Sequence, residues 1–315
     1  PMSKYIITFF LIFQVLNAKA QESNTAYNFL RLPVSAHAAA LGGENITIIE
    51  DDPSLMFSNP ALASSVSDKT VGLSYMNYMR GAHYMGASYT KALGEKATLA
   101  GGVRYMNYGK MKEVDANNVQ TGTFNASEIA VEGIFSYELA RNLVGGITAK
   151  FITSYIGSYN SMAVGVDLGL NWYEPERQWS VSLVAKNLGG QIKAYEEEYG
   201  KMPIDVQVGV SKTFAALPVR VSATLVDLTH YDYRFINHLN LGAEVLLSES
   251  IWVGGGYNFR KADEMTIGKA DNASAHGAGF SVGAGINLEQ FKLNLAYGKY
   301  HAASNSILVN LAYSF

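Results

Sequence analysis

"SILVNLAYSF", residues 306–315, places Ile307, Val309, Leu311, Tyr313 and Phe315 on one face and Ser306, Leu308, Asn310, Ala312 and Ser314 on the other. A period of two is the mark of a strand, because successive side chains leave a pleated backbone on opposite sides. The same alternation sets Phe291, Leu293, Leu295 and Tyr297 against Lys292, Asn294, Ala296 and Gly298. It also sets Val164, Val166, Leu168, Leu170 and Trp172 against Gly165, Asp167, Gly169 and Asn171. Working outward, fourteen such segments fill the chain: 70–78, 82–91, 95–108, 123–138, 142–156, 160–174, 178–188, 204–214, 217–227, 238–247, 249–258, 275–288, 290–299 and 304–315. An even number of antiparallel strands closes a bacterial outer-membrane barrel, and tilted strands of about 9–11 residues cross a bilayer.

The connections sort by parity. The links after even-numbered strands are short, at or around ALGE, ARN, EPER, AAL, SES and LEQ. The long polar links, 109–122, 189–203, 228–237 and 259–274, all follow odd-numbered strands. A barrel with short periplasmic turns and longer external loops has this pattern, whereas a soluble sandwich has no reason to. Tyr75, Tyr89, Tyr105, Tyr137, Trp172, Trp179, Tyr257, Tyr297, Tyr313 and Phe315 mostly lie near strand ends, where interfacial aromatic girdles form. The reading is therefore all-β: a 14-stranded antiparallel transmembrane β-barrel.

Composition agrees. Charged residues are only 16%, against about 25% in ordinary soluble domains, and the chain carries 30 Gly, 20 Tyr and no Cys. Without cysteine, disulfides and thiolate metal sites are ruled out, and the sheet itself must carry stability. The opening PMSKYIITFFLIFQVLNAKAQ has one early cation, an apolar run and Ala18-Lys19-Ala20, the pattern of a cleaved signal peptide over 1–20. Its loss would remove Lys4 and Lys19 and move the formal charge from −3 to −5. A weakly acidic chain without Lys/Arg clusters is not built for nucleic acid. Past the leader no apolar run is long enough for a membrane helix, so strands alone would hold the protein in the bilayer.

Residues 21–69 precede the first strand of the barrel, 70–315, and read as an amino-terminal hatch. "HAAALGG", 37–43, suggests one or two helical turns stopped by glycine. "DDPSLMFSNPAL", 51–62, brings Asp51, Asp52, Ser54, Asn59 and Pro60 together; its carboxylates are expected to pair with inward cations such as Arg104 or Lys150, or to cap the hatch backbone. Within the strands Arg104, Glu128, Glu132, Lys150, Asp167, Arg220 and Glu244 oppose the apolar face. At mid-bilayer a lipid-facing Lys or Arg would cost about 2–4 kcal/mol, so these charges are expected to face the lumen and to pair there. Six histidines without HxH or HxxxH spacing support no metal site, and no cofactor is implied. Asp227, His230 and Asp232 are the only local group resembling a hydrolytic set, and loop polarity accounts for them; the chain does not read as an enzyme.

On "ENITIIEDDPSLMFSNPAL" and the strand count, the chain resembles the FadL-like superfamily of outer-membrane barrels, in which this segment folds inside and blocks the barrel. "YNFLRLPVSAHAAALGG", 27–43, makes it more similar to the PorV/PorQ family of the Bacteroidetes type IX secretion system, the PorQ type above all. That resemblance implies a non-catalytic subunit of the cargo attachment complex in the outer membrane. It would anchor a surface protein of the PorZ type and, through it, meet PorU and PorV. The loop residues expected to dock such a partner are Tyr195, Glu196, Glu197, Tyr199, Lys201, Arg260 and Lys261. The alternative is a FadL-like transporter of hydrophobic small molecules, with Gly-rich strands that kink to open a lateral gap; the shortness of the external loops weakens it.

Overall fold

The structure is a computed structural model that describes residues 25–79, 81–115, 119–214, 216–265, 277–301 and 304–315. The expected signal peptide lies outside the described residues. Fourteen antiparallel strands form a closed barrel, each paired with its sequence neighbours, and β1 (Thr70–Met79) closes against β14 (Ser304–Ser314). That seam runs in unbroken register from Thr70↔Ser314 to Asn77↔Ile307. Closure matters physically, since an open edge in hydrocarbon would leave backbone groups unsatisfied.

Alternation places the wall's two faces as the sequence requires. Leu73, Val103, Val131, Phe151, Leu168, Leu183 and Leu311 are exposed on the outer surface, while the residues between them point inward. Among the described residues no helix is long and apolar enough to cross a membrane, so the strands make the crossing.

The wall is uneven in height. β3 (Ala97–Val114) and β4 (Gln120–Ala140) run for 18 and 21 residues, whereas β9 (Val219–Leu225) and β10 (Leu239–Leu246) run for 7 and 8. The segment 109–122, expected as a loop, is largely a continuation of these two strands, which pair from Lys110↔Asn125 to Val114↔Gln120 with register shifts after Asn107 and after Glu113. Polar residues in 109–122 suggested a loop because strands projecting beyond the bilayer no longer need an apolar face. β7 (Trp179–Lys193) likewise continues into the expected 189–203 loop. β8 (Asp205–Phe214) pairs with it only from Lys186↔Asp205 downward.

Inside the barrel lies the hatch. Its short helix α1, Ala36–Ala40, is capped by the Ser35 hydroxyl, which accepts from the Ala38 N–H at 3.2 Å, and is followed by Gly42 and Gly43 at φ 98° and 96°. Two 3₁₀ turns follow, Pro53–Phe57 and Pro60–Ser65, each with proline at its start, where a missing N–H costs nothing. Phe29, Val34, Met56 and Phe57 of the hatch pack with Met76, Met106, Ile134, Ile152, Trp252 and Leu308 of the wall in one buried cluster.

Candidate functional site

The interface between hatch and wall is where the sequence-predicted residues meet. Asp52 caps the first 3₁₀ turn: its Oδ1 accepts from the Ser54 N–H (2.8 Å) and the Ser54 hydroxyl (2.7 Å), and its Oδ2 accepts from Asn294 Nδ2 (3.1 Å). Burial pushes this carboxyl above its ordinary value, and the Ser54 bonds work against that push. Asp51 instead fastens the hatch's end, accepting from the Ser67 N–H at 2.7 Å and from Lys292 Nζ at 2.6 Å. The expected pairing with Arg104 or Lys150 does not occur. Those cations, on β3 and on the strand Leu143–Ile156, take other carboxylates, whereas Lys292 at the start of β13 (Phe291–His301) lies beside Asp51 at the short-turn rim. Asn59 caps the second turn through Ala61 N–H (3.0 Å) and donates to the carbonyls of Ile46 (3.1 Å) and Leu170 (3.3 Å), joining hatch to wall. Pro60 follows it at the first position of the turn.

The inward charges form closed pairs. Arg104 Nε donates to Glu132 at 2.5 Å, Lys150 meets Asp167 at 2.7 Å and Asn187 at 2.8 Å, and Glu128 accepts from the Tyr108 hydroxyl at 2.6 Å. Arg220 and Glu244 (2.5 Å) belong to a larger set that spans hatch and wall. His37, in α1, bonds Glu244 through Nε2 (2.6 Å) and faces Glu50 through Nδ1 (3.2 Å), while Arg220 also holds Glu50. The ring is fully buried and stacks on Trp252 with centroids 3.7 Å apart. His37 lies in the hatch, not in a strand. Burial alone would lower its pKa, but the Glu50 and Glu244 carboxylates override that and hold it at about 9. Glu50, partly exposed, is held well below the usual carboxylate range by His37 and Arg220.

His37, Glu50 and Glu244 bring three ligand-type groups within 4.8 Å. They do not make a metal site, because the Arg220 guanidinium already supplies the cation between the two carboxylates and each imidazole nitrogen is turned to a different one. The result is a neutral set of two cations and two anions that locks α1 to β9, β10 and Trp252 of β11 (Ile251–Asn258). Sequence reasoning missed it: His37 was legible only as part of a helical turn, and nothing in spacing ties residues 37, 50, 220 and 244.

Wall glycines complete the fit. A Cβ at Gly146 would lie 2.4 Å from the Ala61 nitrogen and the Pro60 carbonyl carbon, and one at Gly256 would lie 2.2 Å from the Gly42 nitrogen. These glycines, expected as possible kinks for a lateral gap, make room for hatch backbone instead. A cavity of about 20 Å³ beside Arg31, Glu44, Phe57, Arg104 and Asp205 leaves space for about one water.

At the long-loop rim, Glu196, Glu197 and Tyr199 are exposed, whereas the Tyr195 hydroxyl donates inward to Ser154. The Lys201 carbonyl accepts from the Ala26 N–H at 2.8 Å. Arg260 and Lys261, expected to face a partner, turn into the rim from the helix α2, Phe259–Glu264. Arg260 pairs with buried Asp227, and the Lys261 ammonium sits over the Tyr300 ring at 4.0 Å, its pKa pushed down by burial to about 8. They turn inward because Asp227 and the aromatic ring lie below them, which the loop's sequence does not announce. The rest of the expected 259–274 loop is described only as far as residue 265.

A closed fourteen-stranded barrel with an amino-terminal hatch, paired charges inside and an apolar outer face, is a transmembrane barrel of the outer-membrane kind, and its fold is FadL-like. It resembles the Pseudomonas putida toluene transporter TodX at TM-score 0.56 and 12% identity, covering 89% of this chain and 96% of that one. A Pseudomonas aeruginosa FadL homologue matches at TM-score 0.55 and 10% identity, with 90% and 98% covered, and the monoaromatic hydrocarbon channel CymD at 0.57 and 13%, with 92% and 99% covered. At such identities the likeness is one of fold. The chain belongs to the type IX secretion system membrane protein PorP/SprF family, whose model matches residues 53–310. No curated protein matches the sequence.

Proposed function

We propose that this protein is a non-catalytic outer-membrane subunit of the type IX secretion system that anchors a surface partner of the cargo attachment complex through its long-loop rim, in the manner of the PorQ type. The observation that carries this reading is the hatch held inside the lumen. The hatch is locked to the wall by His37, Arg220 and Lys292, and the cavity beside it has room for about one water. A barrel sealed in this way offers its rim, where Glu196, Glu197 and Tyr199 stand exposed. A PorZ-type protein, linked through it to PorU and PorV, is the partner the resemblance implies, and the bilayer is the other. Membership of a secretion-system family supports the setting. The alternative, transport of hydrophobic small molecules, has only the fold in its favour.

Detergent extraction from native membranes and affinity capture of the barrel test the proposal. A surface protein should co-purify with the wild type and be lost when residues 195–199 are deleted. Capture of the barrel alone, or unchanged retention after the deletion, defeats it. Uptake of toluene or a fatty acid that depends on the barrel would instead establish the alternative.

A further inference from the structure

The long-loop rim is not separate from the hatch. Three segments of the rim are fastened to hatch residues 25–34. The first is the loop after β7, through the Ala26 N–H to Lys201 carbonyl bond and the Thr25↔Lys201 bridge. The other two meet at a single carboxylate. Asp227, in the loop after β9, has no exposed surface and a left-handed φ of 52°. It accepts from Arg31 of the hatch at 2.9 and 3.2 Å and pairs with Arg260 of α2. Its own N–H donates to Asp205 at the top of β8 (2.7 Å), and His230 lies 3.7 Å away. Asn237 Nδ2 donates to Asp263 at 2.9 Å, a second tie between the two loops.

We propose that hatch residues 25–34 form the floor of the docking surface and that Asp227 is the joint through which loops 226–238 and 259–265 act on the hatch. The inference rests on the docking reading given above. A folded surface protein seated across the rim holds these loops, and through Asp227 it holds Arg31 and the hatch's first segment in place. Docking and the seating of this segment are then linked: the occupied rim keeps residues 25–34 in place. Two discrete arrangements are required, the segment seated and the segment released. The inner part of the hatch, 36–65, has its own locks at His37, Asn59 and Asp51 and need not move.

Hydrogen exchange on the full-length barrel in detergent, without any partner, tests the joint. Arg31→Gln removes only the hatch's side of it and leaves Asp227 paired with Arg260. Loss of a charge-assisted bond should speed exchange about tenfold or more, in 25–34 and in 226–238 and 259–265 together, with 36–65 unchanged. Asp227→Asn should give the same pattern, enlarged in the two loops. Faster exchange confined to 25–34 in Arg31→Gln would show that nothing is transmitted and overturn the joint. Capture from native membranes separates the two readings. With the joint, Arg31→Gln retains less surface partner than wild type although it alters no exposed loop residue. Full retention by that variant overturns the link but leaves docking intact. A wild-type barrel captured without any partner defeats docking, while coupled exchange would still establish the joint.

Discussion

His37 carries the most charge chemistry for one residue. Its pKa is raised from 6.5 to about 9, so its contribution to hatch seating is complete below pH 6.5 and is lost as pH rises through about 9. Glu50 is lowered, so its contribution is present above pH 4.5 and fades only as pH falls toward its depressed value. The hatch is therefore expected to be tightest between these limits, and single-barrel conductance in a planar bilayer should rise as pH approaches 9. His37→Gln, which cannot carry the charge, should flatten that rise; an unchanged pH profile would show that the set does not hold the hatch. Asp51 and Asp52 act separately. Asp51→Ala leaves Lys292 with the Ser314 hydroxyl but no carboxylate, and Asp52→Ala uncaps a buried turn, at a cost of about 0.5–2 kcal/mol for the cap. The double variant should raise conductance above either single one, and a barrel that stays sealed would show that the pair is not needed. The capping role was legible in "DDPS", because an aspartate before proline in a turn has few other uses. The partner Lys292 was not, being 241 residues away.

Among the elements, the hatch turns and the glycines opposite them form one unit. The strands were readable because a half-buried wall imposes period two on every segment; their ends differ where β3, β4 and β7 run on beyond the lipid zone, and where the strands expected over 217–227 and 275–288 are shorter, Val219–Leu225 and Phe280–Asn287. What glycine does in the strands was not readable, since a missing side chain records no partner. Gly146→Val places side-chain atoms against the Pro60–Ala61 backbone, and overpacking of this kind costs about 1–3 kcal/mol. The Asn59 to Leu170 bond should break and the second turn should lose hydrogen-exchange protection, with the barrel itself intact. A same-size change at outward-facing Gly133, whose Cβ would meet nothing within 4 Å, should leave the hatch alone. Equal effects at both positions would refute the seating role.

For the whole molecule, closure makes a direct prediction. A folded barrel of this kind should run at a different mobility on a denaturing gel before and after boiling, and wild type and the hatch variants alike should show the shift, because the ladder from β1 to β14 does not depend on the hatch. Absence of a shift in wild type would put closure in doubt. Deleting 195–199 should leave the shift intact while removing the partner, which separates folding from docking.

Strand number, the apolar outer face and the sorting of loops were determined by the sequence alone, since each follows from local periodicity and from the cost of charge or unpaired backbone in lipid. Only the tertiary structure decided what the interior charges do. Which carboxylate takes Arg220, His37 or Lys292 depends on how strands far apart in the chain come round to face the hatch, and a one-residue slip of register would change every pair. The same holds for Arg260 and Lys261: their loop is polar enough to meet solvent, yet closure of the barrel sets Asp227 and Tyr300 beneath them and draws both inward.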